Sequence, residues 1–432
     1  MDRTERLLLQ TRCSDASAAV SLAQKHGDVI VPLANGEPGS LLDALDAAGD
    51  QLSGVRIHQM YALGDHRYLH GDFPGLRYTS YFLSATTRSA FAEGGIDFTP
   101  AHFSEMPHIL RYVTNEPVVF AAASPPDRHG WFSLGTNADY TAAFIGEAPV
   151  FLEVNRYMPR TRGENSVHVS QIAGWIESHQ PLIEIAPPTR SAKDRAIGAL
   201  IAERIPNGAT LQIGIGSMPA AVLEQLGGHR DLGVHTELLS DGFIDLFENG
   251  VVTGHRKTTR PGKMVATLAL GTQRLYEFLD DNAVVEFLPV DWVNNPRIIG
   301  QEECMVSVNG TCEVDIFGQA NSEMIDGALW SGSGGQADFA HGAMFSPHGK
   351  GFLALHSTTT DESISRIKVK LAEGALVTTL KNAVDNVVTE YGVAELHGQP
   401  VSVRARRLID IAHPKFREQL ESDARACGYL HD

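Results

Sequence analysis

Gly208-Ala209-Thr210-Leu211-Gln212-Ile213-Gly214-Ile215-Gly216-Ser217-Met218-Pro219-Ala220-Ala221-Val222-Leu223-Glu224-Gln225-Leu226 decides the fold. It opens as a strand, turns sharply at Gly214-Ile215-Gly216, and continues from Pro219 as a helix. Upstream, Ser191 is placed to cap a helical pattern through Ala196-Ile197-Gly198-Ala199-Leu200-Ile201-Ala202. The first half repeats this plan. Ser14-Asp15 starts an alanine-rich helix to about Gly27, Asp28-Val29-Ile30-Val31-Pro32 reads as a strand entering a turn, and Ser40 is expected to cap Leu41-Leu42-Asp43-Ala44-Leu45. Gly36-x-Pro38 corresponds loosely to Gly216-x-x-Pro219. Strands alternating with helices predict parallel sheets of βαβ units. The proline-rich stretch from Gln180 to Arg190 is the natural linker. The expected architecture is α/β: two related open α/β halves with mostly parallel sheets, residues 1–185 and 190–432, with the active site between them.

The 432 residues exceed one ordinary core, and 43% hydrophobic with 20% charged residues is the composition of a globular protein. A formal net charge of −17 argues against a nucleic-acid partner and obliges any site for a polyanion to gather its own cations. Cys13, Cys304, Cys312 and Cys427 show no CxxC spacing and read as reduced thiols. The start, Met1-Asp2-Arg3-Thr4-Glu5-Arg6, carries acids and only three following leucines, unlike a secretory signal. No apolar run approaches the roughly 18 residues that span a bilayer. These features predict a cytoplasmic protein with no membrane partner.

Two glycine-rich segments and one carboxylate carry the chemistry. Gly214-Ile215-Gly216 lacks the third glycine of a dinucleotide fingerprint, and no GxxxxGK[ST] loop occurs. Val234-His235-Thr236-Glu237-Leu238-Leu239-Ser240-Asp241-Gly242 reads as a strand running out at a carboxylate. An isolated glutamate is ordinarily a solvated charge. Beside a glycine-rich loop it is instead sited as a nucleophile, because bare backbone N–H groups can face the carbonyl under attack. Ser331-Gly332-Ser333-Gly334-Gly335-Gln336-Ala337-Asp338-Phe339 is such a loop, since glycine costs roughly 0.5–1 kcal/mol in a regular element.

Further blocks are Ser124-Pro125-Pro126-Asp127-Arg128-His129-Gly130 with Phe132-Ser133-Leu134-Gly135, and Glu313-Val314-Asp315 with Gly318-Gln319. Val388-Thr389-Glu390-Tyr391-Gly392-Val393-Ala394 and Ile411-Ala412-His413-Pro414 follow. In order and spacing these blocks resemble the acetyl-CoA hydrolase/transferase family of class I CoA-transferases, which includes 4-hydroxybutyrate and acetate/succinate CoA-transferases. The likeness covers nearly the whole chain. It implies that Glu237 attacks a thioester and then carries CoA, and that a backbone N–H at Gly334 or Gly335 serves the thioester oxyanion. Gly214 and Gly216 join them as expected CoA-binding or oxyanion positions. It also implies acyl-CoA and small carboxylate substrates, coenzyme A as substrate rather than cofactor, no metal, and a homodimer or larger homo-oligomer. Leu238, where the family commonly has methionine, leaves the acyl preference open.

Other readings are weaker. His129, His168, His235 and His413 match no metal-ligand spacing and read as core or hydrogen-bonding histidines. No G-x-S-x-G elbow supports a serine hydrolase. The run His255-Arg256-Lys257-Thr258-Thr259-Arg260-Pro261-Gly262-Lys263, with Lys350, Arg366, Lys368 and Lys370, offers cations for CoA phosphates, although each alone reads as a solvated charge. A hydrolase would use the same Glu237 and admit water. A non-catalytic acyl-CoA-binding protein would not need it.

Overall fold

The computed structural model describes residues 3–431. Residues Met1–Ile185 with Val265–Val293 form one compact unit, and Ala186–Met264 with Asn294–Asp432 form the other. The second unit is thus interrupted in sequence: Val265–Val293 packs with the first. The crossing point Ile185/Ala186 falls in the proline-rich stretch, where residues 179–191 form no regular element.

The first unit is built on a seven-stranded sheet in the order Ile172–Ser178, Val150–Asn155, Val118–Ala123, Asp28–Ile30, Val55–Gln59, Leu76–Ser80 and Asp97–Phe98. Every pairing is parallel. Val118–Ala123 (VVFAAA) and Val150–Asn155 are buried at all six positions, the mark of strands covered on both faces. Chain order reverses between Asp28–Ile30 and Val118–Ala123. The turn after Asp28–Ile30 therefore lies at a topological switch point, where open α/β sheets leave a crevice. Gly36 is required in that turn, because a Cβ there would stand 2.8 Å from Pro32 Cβ and 2.9 Å from Asn137 Cγ. Asn137 donates to the Leu33 carbonyl and to Asp139, whose carboxyl burial pushes up to about 6.

The helix Ser17–His26 begins where Asp15 accepts the Ser17 N–H and ends at Gly27 in the left-handed region. The next helix corrects the sequence reading. It spans Gly39–Ala47 with Pro38 as its N-cap, so Ser40 is not the cap. Ser40 instead donates its N–H and hydroxyl to Glu153, a buried carboxylate that also takes the Leu41 N–H. A strand residue supplies from 113 positions away what a local cap would have supplied.

In the second unit, six neighbouring strands run in the order Gly392–Glu395, Asn386–Thr389, Lys350–Ala354, Met305–Gly310, Thr210–Ile213 and Gly233–His235. All pairings are parallel except the closing hairpin. Here too chain order reverses beside the first strand, between Thr210–Ile213 and Met305–Gly310. The plan legible in the opening stretch is present: helix Ala192–Ala202, strand Thr210–Ile213, then helix Ser217–Gln225. Ser191 caps its helix in a capping box with Asp194. Val314, Ile316, Leu353, Leu355, Ile367 and Val387 belong to a core that the C-terminal helices close with Leu408, Ile411 and Leu420. Among the described residues no helix is long and apolar enough to cross a membrane, and the four cysteines are unpaired.

Candidate active site

The opening turn occupies the switch point of the second unit. The Gly214 N–H donates to the Val308 carbonyl at 2.8 Å, and a Cβ on Gly214 would meet Asn309 Oδ1 at 3.1 Å. Gly216, at φ +111°, is the N-cap of Ser217–Gln225, a conformation that favours glycine. Asp194 holds the turn from below: its carboxylate accepts the Ser217 hydroxyl at 3.0 Å and His356 Nε2 at 2.9 Å.

Glu237 lies two residues beyond Gly233–His235, in a bend leading to Leu238–Leu239. Thr236 Oγ1 closes the bend by donating to the Leu238 carbonyl at 3.1 Å. Asn294 Nδ2 donates to Glu237 Oε2 at 2.7 Å. Gly335 closes the other side through its backbone N–H, and a Cβ there would lie 1.9 Å from Glu237 Oε2 and 2.1 Å from Asn294 Nδ2. The second glycine loop is therefore in contact with the carboxylate, at a position that only glycine fits. Gly335 is also the N-cap of Gln336–Phe345, so Glu237 faces the electropositive start of a ten-residue helix. Gly334, at φ +54°, makes the preceding bend.

Glu237 keeps some accessible surface, yet it sits deep among protein atoms. Burial pushes its carboxyl up to about 7, Asn294 opposes the shift, and the buried Asp338 carboxylate adds to it by like-charge repulsion. The Gly335 N–H opposes it again. A carboxylate held this way is desolvated, and hydrogen-bond donors face its charge.

Of the residues expected from sequence, the structure brings Glu237 and Gly335 together, with Gly334 adjacent in the chain. The neighbours of Gly214 and Gly216 are instead Val308, Asn309 and Pro219. Sequence reasoning missed Asn294. It stands in Asp291-Trp292-Val293-Asn294-Asn295-Pro296, which has no local motif, and meets Glu237 across 57 residues.

Several of the cations that the sequence offers for CoA phosphates have partners of their own. Lys257 is buried, with its ammonium donating to the Val234 and Lys263 carbonyls at 2.7 and 3.1 Å beneath the strand that leads to Glu237. Glu302 takes the Thr258 and Thr259 N–H groups, folding the basic run onto the unit. Lys350 lies at the opposite edge of the sheet from Glu237, where it donates to the Arg204 carbonyl, and Lys368 pairs with Glu313 at 3.3 Å. Of the histidines, His235 is buried edge-on to Phe339, His168 bonds Ser170 and the His129 carbonyl, and His413 caps its helix through Lys415 N–H.

The chain matches the acetyl-CoA hydrolase/transferase N-terminal domain over residues 4–187 and the C-terminal domain of that family over residues 271–424. It is 43% identical over 418 residues to succinyl-CoA:cyclohexane-1-carboxylate CoA transferase of Geobacter metallireducens, covering 96% of this chain and 95% of that one. It is also 43% identical over 411 residues to 4-hydroxybutyrate coenzyme A transferase of Clostridium kluyveri, covering 94% and 96%. The crystal structure of RipA from Yersinia pestis superposes with a TM-score of 0.92 at 34% identity, over 100% of each chain. The chain therefore belongs to the acetyl-CoA hydrolase/transferase family, and it is an enzyme, a CoA-transferase.

Proposed function

We propose that this enzyme moves CoA from an acyl-CoA to a small carboxylic acid through a covalent Glu237–CoA thioester. One observation carries the reading: the Glu237 carboxylate is held between Asn294 Nδ2 and the N–H of Gly335 at a helix start. A Glu237 oxygen attacks the acyl-CoA carbonyl, the C–S bond breaks, and an acyl-glutamyl anhydride and CoA thiolate result. The thiolate attacks the glutamyl carbonyl, expels the first carboxylate, and leaves CoA on Glu237. An acceptor carboxylate reverses the two steps and departs as the new acyl-CoA. The tetrahedral centre at the glutamyl carbonyl places negative charge on a Glu237 oxygen, to which the fixed N–H of Gly335 is suited to donate. The exchange balances with these groups alone, so the proposal contains no metal or redox cofactor. It extends to acyl-CoA and small-acid substrates, in line with relatives named for succinyl-CoA and 4-hydroxybutyrate, and to a cytoplasmic homo-oligomer as a further part of the proposal.

The intermediate is testable directly. Double-reciprocal plots at several acceptor concentrations are expected to be parallel, because the first acid leaves before the second enters. Borohydride after mixing with acyl-CoA alone is expected to reduce the thioester, mark the Glu237 peptide and inactivate the enzyme. Free CoA released equally fast with and without an acceptor would establish the hydrolase reading instead. Donors assayed against a panel of carboxylate acceptors then define the acyl preference.

The same carboxylate sets the pH dependence. Only ionised Glu237 attacks, and its carboxyl titrates at about 7. The kcat/KM for acyl-CoA is expected to fall about tenfold per unit below pH 7 and to level off above it. A flat profile from pH 5 to 8 contradicts this assignment.

A further inference from the structure

The second unit contains a cavity of about 420 Å³ at the opposite edge of its sheet from Glu237. Arg204 precedes the strand Thr210–Ile213, Lys350 opens Lys350–Ala354, and Asp385 precedes Asn386–Thr389. Glu395 closes the antiparallel strand Gly392–Glu395, so it and His397 reach the same edge, and Arg407 comes from the helix Val401–Ile411. All these residues lie at the amino ends of the parallel strands, whereas Gly214 and Glu237 follow carboxyl ends. In register, Lys350 is level with Val306, Leu211 and Val234. Three strand spacings of about 4.8 Å and three residues of about 3.3 Å then put it roughly 17 Å from Glu237. A small molecule in this cavity does not touch the reacting carboxylate.

The hydrogen bonds that anchor the cations here go to backbone carbonyls, while the carboxylates of Asp385 and Glu395 line the same cavity and Lys350 and His397 act electrostatically on Asp385. Lys350 Nζ donates to the Arg204 carbonyl at 3.0 Å, Arg407 Nη1 to the Glu395 carbonyl, and Arg204 Nη1 to the Leu200 carbonyl at 2.8 Å. Glu203 stands 3.8 Å from Arg204 with a side chain 73% exposed, and it compensates little charge. Asp385 is already engaged by the Gly351 N–H and Asn386 Nδ2, and burial pushes its carboxyl up. Two guanidinium forks and an ammonium thus keep spare donors in a cavity of a chain whose net charge is −17. Such a set matches a phosphoryl dianion. The volume falls within the roughly 300–1,000 Å³ of small-molecule sites and exceeds what free phosphate fills.

We propose that this cavity is a second binding site, for a small phosphate-bearing metabolite between a sugar phosphate and a nucleoside monophosphate in size, with Arg204, Lys350 and Arg407 meeting the phosphoryl group. Titration calorimetry of the full chain with ribose 5-phosphate and with AMP tests it. At least one is expected to bind saturably. Arg407→Gln and Lys350→Gln are each expected to weaken that binding at least tenfold, and Arg407→Gln to leave CoA transfer without the probe at the wild-type rate. Should Lys350→Gln fold poorly, Arg407→Gln decides alone. Absence of saturable binding, or affinity unchanged in the folded variants, overturns the proposal. So does displacement of the probe by CoA, which would place it in the substrate site. Inorganic phosphate or succinate binding as tightly as the better probe overturns the ligand class. None of these outcomes depends on whether Glu237 forms a thioester.

Discussion

Glu237→Gln is expected to lower CoA transfer by at least about 10⁴-fold, because the amide cannot attack a thioester and no other group replaces it. The same substitution is expected to stabilise the protein near neutral pH. In the native enzyme the carboxyl titrates at about 7 against 4.5 for an ordinary glutamate, so the folded state binds the proton more tightly than the unfolded state. A raised acid contributes no penalty below 4.5, loses stability as pH rises from 4.5 to 7, and carries the full penalty above 7. At 1.36 kcal/mol per unit the ceiling is about 3 kcal/mol, which residual water access to Glu237 reduces. Glutamine keeps the shape and never ionises. Denaturant melts of the two proteins from pH 4 to 8 should therefore diverge between 4.5 and 7 and run parallel above. Parallel curves throughout would show that Glu237 is not held in a desolvated site, and near-wild-type turnover would remove it from the chemistry altogether.

Gly335→Ala carries the second large effect. One methyl group would stand 1.9 Å from Glu237 Oε2 and 2.1 Å from Asn294 Nδ2, where real Cβ contacts begin above 3 Å. The carboxylate must swing away, losing the Asn294 hydrogen bond and its alignment with the helix start. Loss of one oxyanion-type donor typically costs about 10²–10³ in kcat, and displacement of the nucleophile adds to it. The backbone itself is not strained: Gly335 sits at φ −100°, ψ 7°, a conformation open to any residue. The variant should fold and bind CoA while forming the borohydride-trapped adduct far more slowly. Gly334→Ala is the companion variant, in which the left-handed φ of +54° imposes backbone strain of about 1–2 kcal/mol. A Gly335→Ala enzyme with unchanged kcat would mean that the loop yields without consequence and that its contact with Glu237 is incidental.

What the chain declares locally, its sequence determines. Helix after strand after glycine turn is a matter of residues within a few positions of one another, and so are the Ser191–Asp194 capping box and the stop at Gly27. Those elements are where the residues place them. The family motifs mark Glu237 and the second glycine loop in the same way, as short blocks of fixed spacing. The tertiary structure alone decides what meets across the chain. Ser40 resembles a cap, yet the partner of its helix start is Glu153 on a distant strand. The basic run resembles a phosphate-binding face, yet Lys257 turns inward to the Val234 carbonyl. Asn294 carries no motif and reaches Glu237 from 57 residues away. Between Gly334 and Gly335 the sequence is silent, whereas in the fold Gly335 stands where a methyl group would strike the carboxylate. The proton affinity of Glu237 belongs to this second class as well. It is set by burial, by the opposing Asn294 donor and by Asp338, all products of packing, and an identical glutamate on an open surface would titrate in the ordinary carboxylate range.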